Sequence, residues 1–487
     1  MLFNSYIFLF AFLPLVLIGY YGLNYAKLYR AAQAYLIGMS LWFYGYNNIY
    51  YLAILVVSVL LNYCLAKGLF SLENRQQRRL LLWIGVLLNL GILFYFKYFD
   101  FFIENMNSLL KKDYTLLHVI LPLGISFYTF QQLSFVIDCY KRECEEYTLL
   151  EYASYVTFFP QLIAGPIVFH DELIPQFRNP ENRKVIYDNM CRGMYAFALG
   201  LAKKVLIADT FSKFVSAGYS HLWDLNANSA VLWMVCYALQ IYFDFSGYCD
   251  MAYGIGYMFN VQLPVNFNSP YKALSIADFW DRWHMTLTRF FTKYVYIPLG
   301  GNRKGVLRTY VNVLLVFLIS GVWHGAAWSF ILWGILHGIW MVGNKLFGRY
   351  FEKLPRFIRW LGTFIGVTFL WSLFRANAVD YACILWKQLL HGEIGPFEET
   401  MMAAFDNMME VELLCRFGIG SLLGDSLWIL LLAFVVCIVL ACVFLRNTQE
   451  KVLGMKLTKV RMVITVLLIV WSILSLSDVS EFLYFNF

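Results

Sequence analysis

Charged side chains are scarce in this sequence. They make up 14% of its 487 residues, whereas soluble globular proteins carry about 25%. Apolar runs of about 18 residues or more recur along the whole length, and each is long enough to cross a bilayer. The scarcity of charge excludes a sizeable soluble domain and predicts a polytopic membrane protein.

Several familiar motifs are also lacking. The ten cysteines contain no C-x-x-C pair, which argues against a zinc or disulfide framework. No P-loop, G-x-S-x-G elbow, H-E-x-x-H motif or EF-hand loop occurs, and "GIG" lacks the strand–turn–helix context of a dinucleotide site. The net charge of +7 fits a bias toward cytoplasmic loops rather than nucleic-acid binding. We therefore expect no metal and no permanently bound cofactor.

Basic residues occur in only some of the loops, and this bias predicts how the chain is threaded. Four early spans are predicted at about 4–22, 32–48, 51–69 and 80–99. The loops 23–31 and 70–79 carry lysine or arginine and the intervening loop carries none, which places the N-terminus outside. The first run has no basic leader or cleavage site and is predicted to be a retained span.

Two later segments contain proline and glycine where a span would be expected. The run 117–138 has both near its start, and 150–170 holds Pro160, Gly165 and Pro166. Irregular backbone is tolerated at membrane depth only where protein buries it or where it lines a cavity. We expect 150–170 to be re-entrant, and 193–211, with its adjacent lysines, to be tilted or partly immersed.

A histidine lies inside the longest apolar stretch. The basic segments 259–306 and 345–359 are predicted to lie inside, so the apolar run 307–344 between them must be a hairpin of two helices. His324 then falls near the turn of that hairpin, well into the membrane.

The remaining runs complete an all-α integral membrane fold of about 11 spans. Spans at 358–376, 426–445 and 460–478 alternate with an acid-rich outside loop, 377–425, and precede an extracellular tail, "SEFLYFNF". Both termini are thus predicted to be extracytoplasmic. We expect one membrane-embedded domain over 1–487, with core motifs in 117–345 and C-terminal helices in 358–478.

An imidazole at the depth of His324 has two interpretations. Ionisable groups in a membrane are costly and often mark function, but a core histidine satisfied by a neighbouring helix is an equally good explanation. Gly321 and Gly325 clear space around the ring, and the same spacing serves close helix packing. His337, 13 residues later, would point about 140° away on one helix. It is interpreted as structural, and a metal pair is rejected.

A second histidine follows an amphipathic pattern in 275–305. An apolar stripe recurs at helical spacing and consists of Ile276, Trp280, Trp283, Leu287 and Phe291. The pattern predicts an interfacial helix that begins with a cap formed by Ser275 and Asp278. Asp281 lies three residues before His284, so its carboxylate can reach the imidazole and support proton transfer. The alternative is a histidine at the polar–apolar boundary.

Two aspartates lie in the aromatic, glycine-rich stretch 241–260. Asp244 and Asp250 could line a polar cavity or pair with a nearby lysine or arginine. The composition of the stretch slightly favours cavity lining.

Five segments in order carry a family resemblance. "LPLGISFYTFQQLSFVIDCY", "FFPQLIAGPI", "DFWDRWHMTLTRFF", "YIPLGGNRKG" and "SGVWHGAAWSFILWGILHG" resemble the membrane-bound O-acyltransferase (MBOAT) family, most closely its alginate O-acetylation branch. The resemblance extends over about 1–487. It implies a ring of helices around a tunnel, with His324 as the catalytic residue and His284 as the second polar residue. Asp278, Trp280, Trp283 and Trp323 belong to the same motifs.

The resemblance also implies a reaction. The family moves an acyl group from a cytoplasmic thioester, such as acetyl-CoA, to a hydroxyl, and this branch serves exported polysaccharide. We expect an O-acetyltransferase of the plasma or inner membrane that acts on a cell-wall or extracellular glycan, directly or through an exported acetyl-transferring partner. The acidic loop 377–425 is a candidate docking surface for that partner, and a merely solvated loop is the alternative. His170 has no assigned role.

Two other functions remain open. A sister branch exports D-alanine onto teichoic acid from an acyl-carrier protein, and a neighbouring carrier gene would favour it. Broken segments such as 117–138 and 150–170 also build transport sites, but a transporter tends to show two related halves, and no internal repeat is found. Substrate flux that survives loss of both His284 and His324 would indicate a transporter.

Overall fold

The computed structural model describes residues 1–46, 48–376, 378–406, 409–417, 427–476 and 482–483. These residues form helices joined by loops, and no strand occurs among them. The helices before residue 180 are α1 (Phe8–Tyr25), α2 (Tyr29–Gly45), α3 (Ile49–Ser71), α4 (Arg75–Leu110), α5 (Ile125–Lys141), α6 (Leu149–Thr157), α7 (Phe159–Leu162) and α8 (His170–Arg178).

The middle of the chain carries the site helices. They are α9 (Tyr187–Ala202), α10 (Asp209–Ser220), α11 (Ala227–Met258), α12 (Ile276–Trp280), α13 (Met285–Phe291), α14 (Val306–His324), α15 (Trp328–Phe351) and α16 (Arg356–Arg375). The last helices are α17 (Val379–His391), α18 (Glu399–Asp406), α19 (Met409–Arg416), α20 (Trp428–Phe444), α21 (Thr448–Leu453) and α22 (Lys459–Leu474).

Seven described helices are long and apolar enough to cross a membrane, namely α1, α3, α4, α11, α14, α15 and α16. α20 is apolar but shorter, at 17 residues. The all-helical membrane fold expected from the sequence is therefore confirmed. The count of about 11 spans and the re-entrant placement of 150–170 stay predictions.

α11 lies at the centre of the molecule. In its apolar window 89% of the residues are buried, against 17% for α4. Small residues let α9 approach it closely: a Cβ on Gly193 would lie 2.5 Å from the carbonyl oxygen of Gly254, and one on Gly200 would lie 2.6 Å from that of Gly247. Glycine pairs of this kind bring helix backbones together, and the rest of the fold is arranged around this pair.

The predicted hairpin is present. α14 and α15 pack against each other, and a Cβ on Gly321 would lie 2.5 Å from the carbonyl oxygen of Phe330. Gly321 thus serves close helix packing. Gly325 lies in the turn after α14 rather than on the helix, with an extended backbone at φ −164°.

Several predicted boundaries are wrong. α4 continues to Leu110, where the sequence suggested an outside loop from residue 100. The run 117–138 becomes helical only at Ile125, because Gly124 adopts a left-handed φ of 71° directly before it. The broken segment 150–170 is indeed interrupted after Thr157, and Pro160 and Gly165 are buried.

The predicted interfacial helix over 275–305 is not continuous. It consists of α12, a break at 281–284, α13 and a short π-helical turn, Thr292–Tyr296. The apolar stripe is nevertheless buried as expected, with each of its five members no more than 7% exposed. Ser275 accepts the N–H of Asp278, which confirms the predicted cap. The break matters because it contains His284.

The C-terminal region differs from a solvated loop and tail. The described part of 377–425 contains α17, α18 and α19, and the side chain of Glu398 accepts bonds from Thr400 and Met401 at the start of α18. Phe482, predicted to lie in an extracellular tail, is 2% exposed and packs against Phe245 and Tyr248 of α11. The other residues of "SEFLYFNF" lie outside the described residues, apart from Leu483.

Candidate active site

His324 is the last residue of α14 and lies in an aromatic enclosure. The side chain is 3% exposed, and its ring centroid lies 4.9 Å from that of Trp323, 5.2 Å from Trp333 and 5.0 Å from Phe374. The chain leaves the helix at once through Gly325 and Ala326. The imidazole is therefore presented at a helix end, next to a turn of small residues.

Lys97 and Tyr98 hold that helix end in place. The ammonium of Lys97 donates to the carbonyl oxygens of Trp323 (2.6 Å) and His324 (3.1 Å), and the hydroxyl of Tyr98 donates to that of Val322 (3.0 Å). The last carbonyls of a helix have no partner within the helix, and a cation there also interacts favourably with the helix dipole. Lys97 and Tyr98 thus fix the backbone that carries His324.

His284 lies in the break between α12 and α13. It has a left-handed backbone at φ 46°, which is uncommon for a residue other than glycine and typical of functional sites. Its side chain is 1% exposed and packs edge-on against Phe245, with ring centroids 4.9 Å apart. The break turns His284 into the core instead of leaving it on an interfacial helix.

The two predicted catalytic histidines are brought together. Each packs against the indole of Trp323, at 6.2 Å between ring centroids for His284 and 4.9 Å for His324. They are also close enough to interact electrostatically. A sequence separation of 40 residues is thus closed around Trp323, and Phe130 of α5 packs both against this indole and against Phe290 of α13.

Asn266 sets the tautomer of His284. Its side-chain oxygen accepts the main-chain N–H of Thr286 (3.3 Å) and the Thr286 hydroxyl (2.9 Å), and it lies 3.0 Å from Nδ1 of His284. A main-chain N–H can only donate, so the Asn266 atom that faces it must be oxygen. Nδ1 therefore carries the proton, and Nε2 of the neutral ring is an acceptor. Burial lowers the pKa of His284 to about 3, which keeps the ring neutral.

Asp281 does not orient His284 as the sequence suggested. Asp281 is exposed, whereas the Nδ1 atom of the buried His284 faces Asn266. The two residues are separated because the helix ends between them. Asp278 has a structural role instead, since it accepts the N–H of Leu274 (3.0 Å) and pairs with Arg282 (2.6 Å).

Two cavities approach the histidines at different levels of α14. The first, here called the turn cavity, has a volume of about 380 Å³ and is lined by Lys97, Asp100, Gly325, Phe330, Phe374 and Arg375, among others. The second, here called the helix cavity, has a volume of about 230 Å³ and is lined by Trp280, Asp281, Thr288, Phe317, Ser320 and Lys345, among others. Trp280 and Asp281 also line an adjoining space of about 330 Å³ that contains Arg289 and Lys293.

The motif tryptophans pack around the histidine-bearing elements. Trp280 packs against Phe317, Trp333 and His337, with ring centroids 5.2–5.7 Å apart. Trp283 is 1% exposed and lies 4.9 Å from Trp371. These indoles position the elements that carry the histidines. The helix cavity as described is lined by one of the four motif residues Asp278, Trp280, Trp283 and Trp323, namely Trp280.

His337 lies next to the site, whereas His170 belongs to another cluster. His337 is fully buried, shares the indole of Trp333 with His324 (4.8 and 5.2 Å between ring centroids) and is close enough to His324 to interact with it electrostatically. His170 is 1% exposed, with Tyr147 3.0 Å from Nδ1 and Asp138 3.3 Å from Nε2. Asp138 also accepts from Lys293 and Tyr294, so His170 belongs to a buried polar network.

The prediction that Asp244 and Asp250 line a cavity is wrong. Asp244 pairs with Lys204 at 2.6 Å and accepts the N–H of Leu483 at 2.8 Å. Asp250 pairs with Lys203 at 2.6 Å. The alternative given by the sequence, pairing with nearby lysines, is the one observed, because α9 and its continuation pack directly on α11.

Sequence reasoning missed Lys97 and Asn266. Lys97 had a detectable signal, since it is a lone lysine within an apolar run, "LFYFKYF", and such residues often mark function. Asn266 had none, because a single asparagine in a loop reveals its partner only after the chain has folded.

Comparison with known proteins gives a consistent set of relatives. A model of the membrane-bound O-acyltransferase family matches residues 79–385. The chain is 43% identical over 420 residues to a peptidoglycan O-acetyltransferase of Helicobacter pylori, which covers 80% of each chain. It is 38% identical over 396 residues to a probable alginate O-acetylase of Pseudomonas putida, covering 79% of each. A teichoic acid D-alanyltransferase of Bacillus subtilis is 27% identical over 249 residues, 49% of this chain and 62% of the relative.

Proposed function

Because the chain belongs to the membrane-bound O-acyltransferase family and is a multi-pass membrane acyltransferase, we propose that it acetylates hydroxyls of an exported or cell-wall polysaccharide. The donor is a cytoplasmic thioester, with acetyl-CoA as the simplest candidate. The relatives that cover most of the chain carry names of acetyl transfer to peptidoglycan or alginate. D-alanyl transfer is less well supported, because its named relatives match only about half of the chain.

The observation that carries this proposal is the pair of buried histidines on Trp323, with two cavities lined by residues next to them, such as Gly325 in the turn cavity and Leu287 in the helix cavity. Such a pair suits acyl transfer, in which the acceptor hydroxyl loses its proton and the thiolate leaves the thioester. The thioester arrives through the helix cavity, whose Lys345 belongs to a segment that the charge bias places in the cytoplasm. The acceptor hydroxyl arrives through the turn cavity, beside Lys97 and Arg375.

The transfer begins with His324 as general base. Its neutral imidazole takes the proton of the acceptor hydroxyl, and the oxygen attacks the thioester carbonyl carbon. A general base must lie within about 2.6–3.2 Å of the group it deprotonates, and such proton transfer contributes roughly 10²–10⁴-fold. The tetrahedral intermediate then breaks its C–S bond, and the thiolate takes the proton from the His324 imidazolium. The acyl–oxygen ester is the product.

His284 has a different task. With its proton on Nδ1, held by Asn266, it offers a lone pair at Nε2 and cannot donate to an oxyanion in its neutral form. The reacting hydroxyl has one proton, which goes to His324, so we assign Nε2 of His284 to accepting a hydrogen bond from a second hydroxyl of the acceptor sugar. Main-chain N–H groups stabilise the oxyanion. Its aromatic surroundings, Phe127, Phe245 and Trp323, exclude water from the exchange.

In this proposal an exported partner receives the acetyl group and delivers it to the glycan, and the described helices of 377–425 form its docking surface. A transport function has no support from a repeat in the sequence. The domain assignment over 1–487 and the extracytoplasmic termini belong to this proposal as well.

The proposal is tested with membranes from cells that produce the protein and its glycan. Radiolabelled acetyl-CoA is supplied on the cytoplasmic side, and label in the glycan is counted. We expect His324→Ala to abolish labelling and His221→Ala, at a histidine after α10 whose side chain is 44% exposed, to leave it unchanged. Equal labelling by a folded His324→Ala variant would overturn the assignment, and labelling only from a D-alanyl carrier protein would favour the alternative.

A further inference from the structure

A third cavity lies away from both histidines. It has a volume of about 190 Å³ and opens between the π-helical continuation of α9, the centre of α11 and the end of α20. It is here called the Arg446 cavity. Its lining shares no residue with the turn cavity or the helix cavity as described. Nothing in the proposed acyl transfer uses it.

The lining of the Arg446 cavity is rich in cations. Lys203, Arg446 and Lys451 line it, and Asp250 accepts from Lys203 (2.6 Å) and from the hydroxyl of Thr448 (2.5 Å). No carboxylate is among the lining residues described, so the lining carries an excess of positive charge. Burial and the neighbouring Lys203 lower the pKa of Lys451, and Asp250 raises it by less.

The lining also has apolar side chains. Leu199, Ile207, Ile438 and Ala441 belong to it. On α20, which carries Ile438 and Ala441, Leu440 is 48% and Phe444 75% exposed, as expected for side chains that contact acyl chains. A soluble phosphate would need only the cations, whereas a ligand with a charged head and apolar tails uses both kinds of lining residue.

We infer that the Arg446 cavity binds the phosphodiester headgroup of an anionic phospholipid, with its acyl chains along α20. Basic pockets between membrane helices on the cytoplasmic side are suited to such headgroups, and the loop that carries Arg446 is predicted to be cytoplasmic. Arg446 and Lys451 contact the phosphate oxygens, since an arginine fork matches two of them. The volume accommodates a headgroup rather than a whole lipid.

The site also has a mechanical consequence. Tyr242 lines the Arg446 cavity from α11, and three residues further along the same helix Phe245 packs against His284. A lipid in the cavity therefore braces the central helix three residues from its contact with His284. The binding itself does not rest on the proposed function.

The experiment titrates the full-length protein in detergent with short-chain phosphatidylglycerol or phosphatidylcholine and counts bound lipid by native mass spectrometry. Each Lys or Arg near an anionic lipid contributes about five-fold in affinity. We therefore expect the double variant Arg446→Gln, Lys451→Gln to bind phosphatidylglycerol roughly 25-fold more weakly. The matched control is Lys456→Gln, Lys459→Gln, at two exposed lysines of the same loop outside the cavity. It should retain binding.

A second variant tests the apolar part of the lining of the Arg446 cavity without a change of charge. Ala441→Trp fills the space between α20 and α9, and it too should displace phosphatidylglycerol. It also decides the question if the charge variant does not fold. Equal loss in the pocket and control variants, no loss in either, equal binding of phosphatidylcholine, or displacement of the lipid by acetyl-CoA or inorganic phosphate would each overturn the inference.

Discussion

Lys97 offers the sharpest test of how the protein positions His324. In Lys97→Met the carbonyl oxygens of Trp323 and His324 lose donors at 2.6 and 3.1 Å. Bonds to a charged group contribute about 1.5–3 kcal/mol each, so the gross loss at the end of α14 is about 3–6 kcal/mol. Part of this is offset because the variant no longer desolvates an ammonium. A net loss of about 2 kcal/mol in unfolding free energy is the expected outcome.

The effect on catalysis should be larger than the effect on stability suggests. A displacement of about 1 Å in a catalytic group can reduce the rate about 100-fold, so we expect kcat to fall about 100-fold. The KM for the thioester should stay nearly constant, because Lys97 lines the turn cavity and not the helix cavity. Lys97→Arg should recover part of the rate, since the charge and donors remain.

The assay is acetyl transfer by purified protein in liposomes, with donor concentration varied to separate kcat from KM. Tyr98→Phe removes one neutral bond at 3.0 Å and should cost about 1 kcal/mol or less. Lys111→Met, at an exposed lysine after α4, is the matched control. A folded Lys97→Met variant with wild-type kcat, or one in which only KM rises, would refute the positioning role.

Three further predictions concern buried polar groups. Asn266→Asp retains an acceptor for Nδ1 of His284 and should keep most of the transfer activity, whereas Asn266→Leu should reduce that activity about 10–100-fold. Equal activity of the two variants in a transfer assay would disprove the tautomer assignment. In the unfolded chain His284 is protonated below about pH 6.5, whereas in the folded protein its pKa is about 3. The folding stability should therefore fall on acidification, by about 2 kcal/mol at pH 5. Melting curves of His284→Gln should show a smaller acid shift, and an unchanged shift would contradict this. Lys204→Met leaves two carboxylates buried and should cost about 3–5 kcal/mol, measured against exposed Lys213→Met, which should melt like the wild type.

The regularities of the sequence predicted the large features of the fold. The apolar runs predicted the long helices, because a membrane span must be long and uncharged. The basic segments on both sides of 307–344 predicted the hairpin of α14 and α15. The five apolar residues of the 276–291 stripe are all buried. The helix itself was predicted wrongly as continuous, since its break at His284 depends on Asn266. This residue comes from a distant loop and binds the ring of His284 and the main-chain N–H of Thr286.

The candidate site was predictable where chemistry and spacing coincide, and not where a partner comes from elsewhere in the chain. His324 stood out as an imidazole among apolar residues. Asp281 looked like a partner of His284 because it is near in sequence, but a broken helix carries the two side chains apart. Asp244 and Asp250 face lysines of the neighbouring helix rather than a cavity, and only the packing of α9 on α11 reveals this.

The most direct test of the account is the acetyl content of cell-surface glycan, measured by mass spectrometry in cells that carry either the wild-type protein or His324→Ala at equal membrane levels. The account predicts that O-acetyl groups on the glycan disappear in the variant and persist with His221→Ala. Undiminished O-acetylation with His324→Ala would contradict the central claim that this imidazole removes the proton of the acceptor hydroxyl.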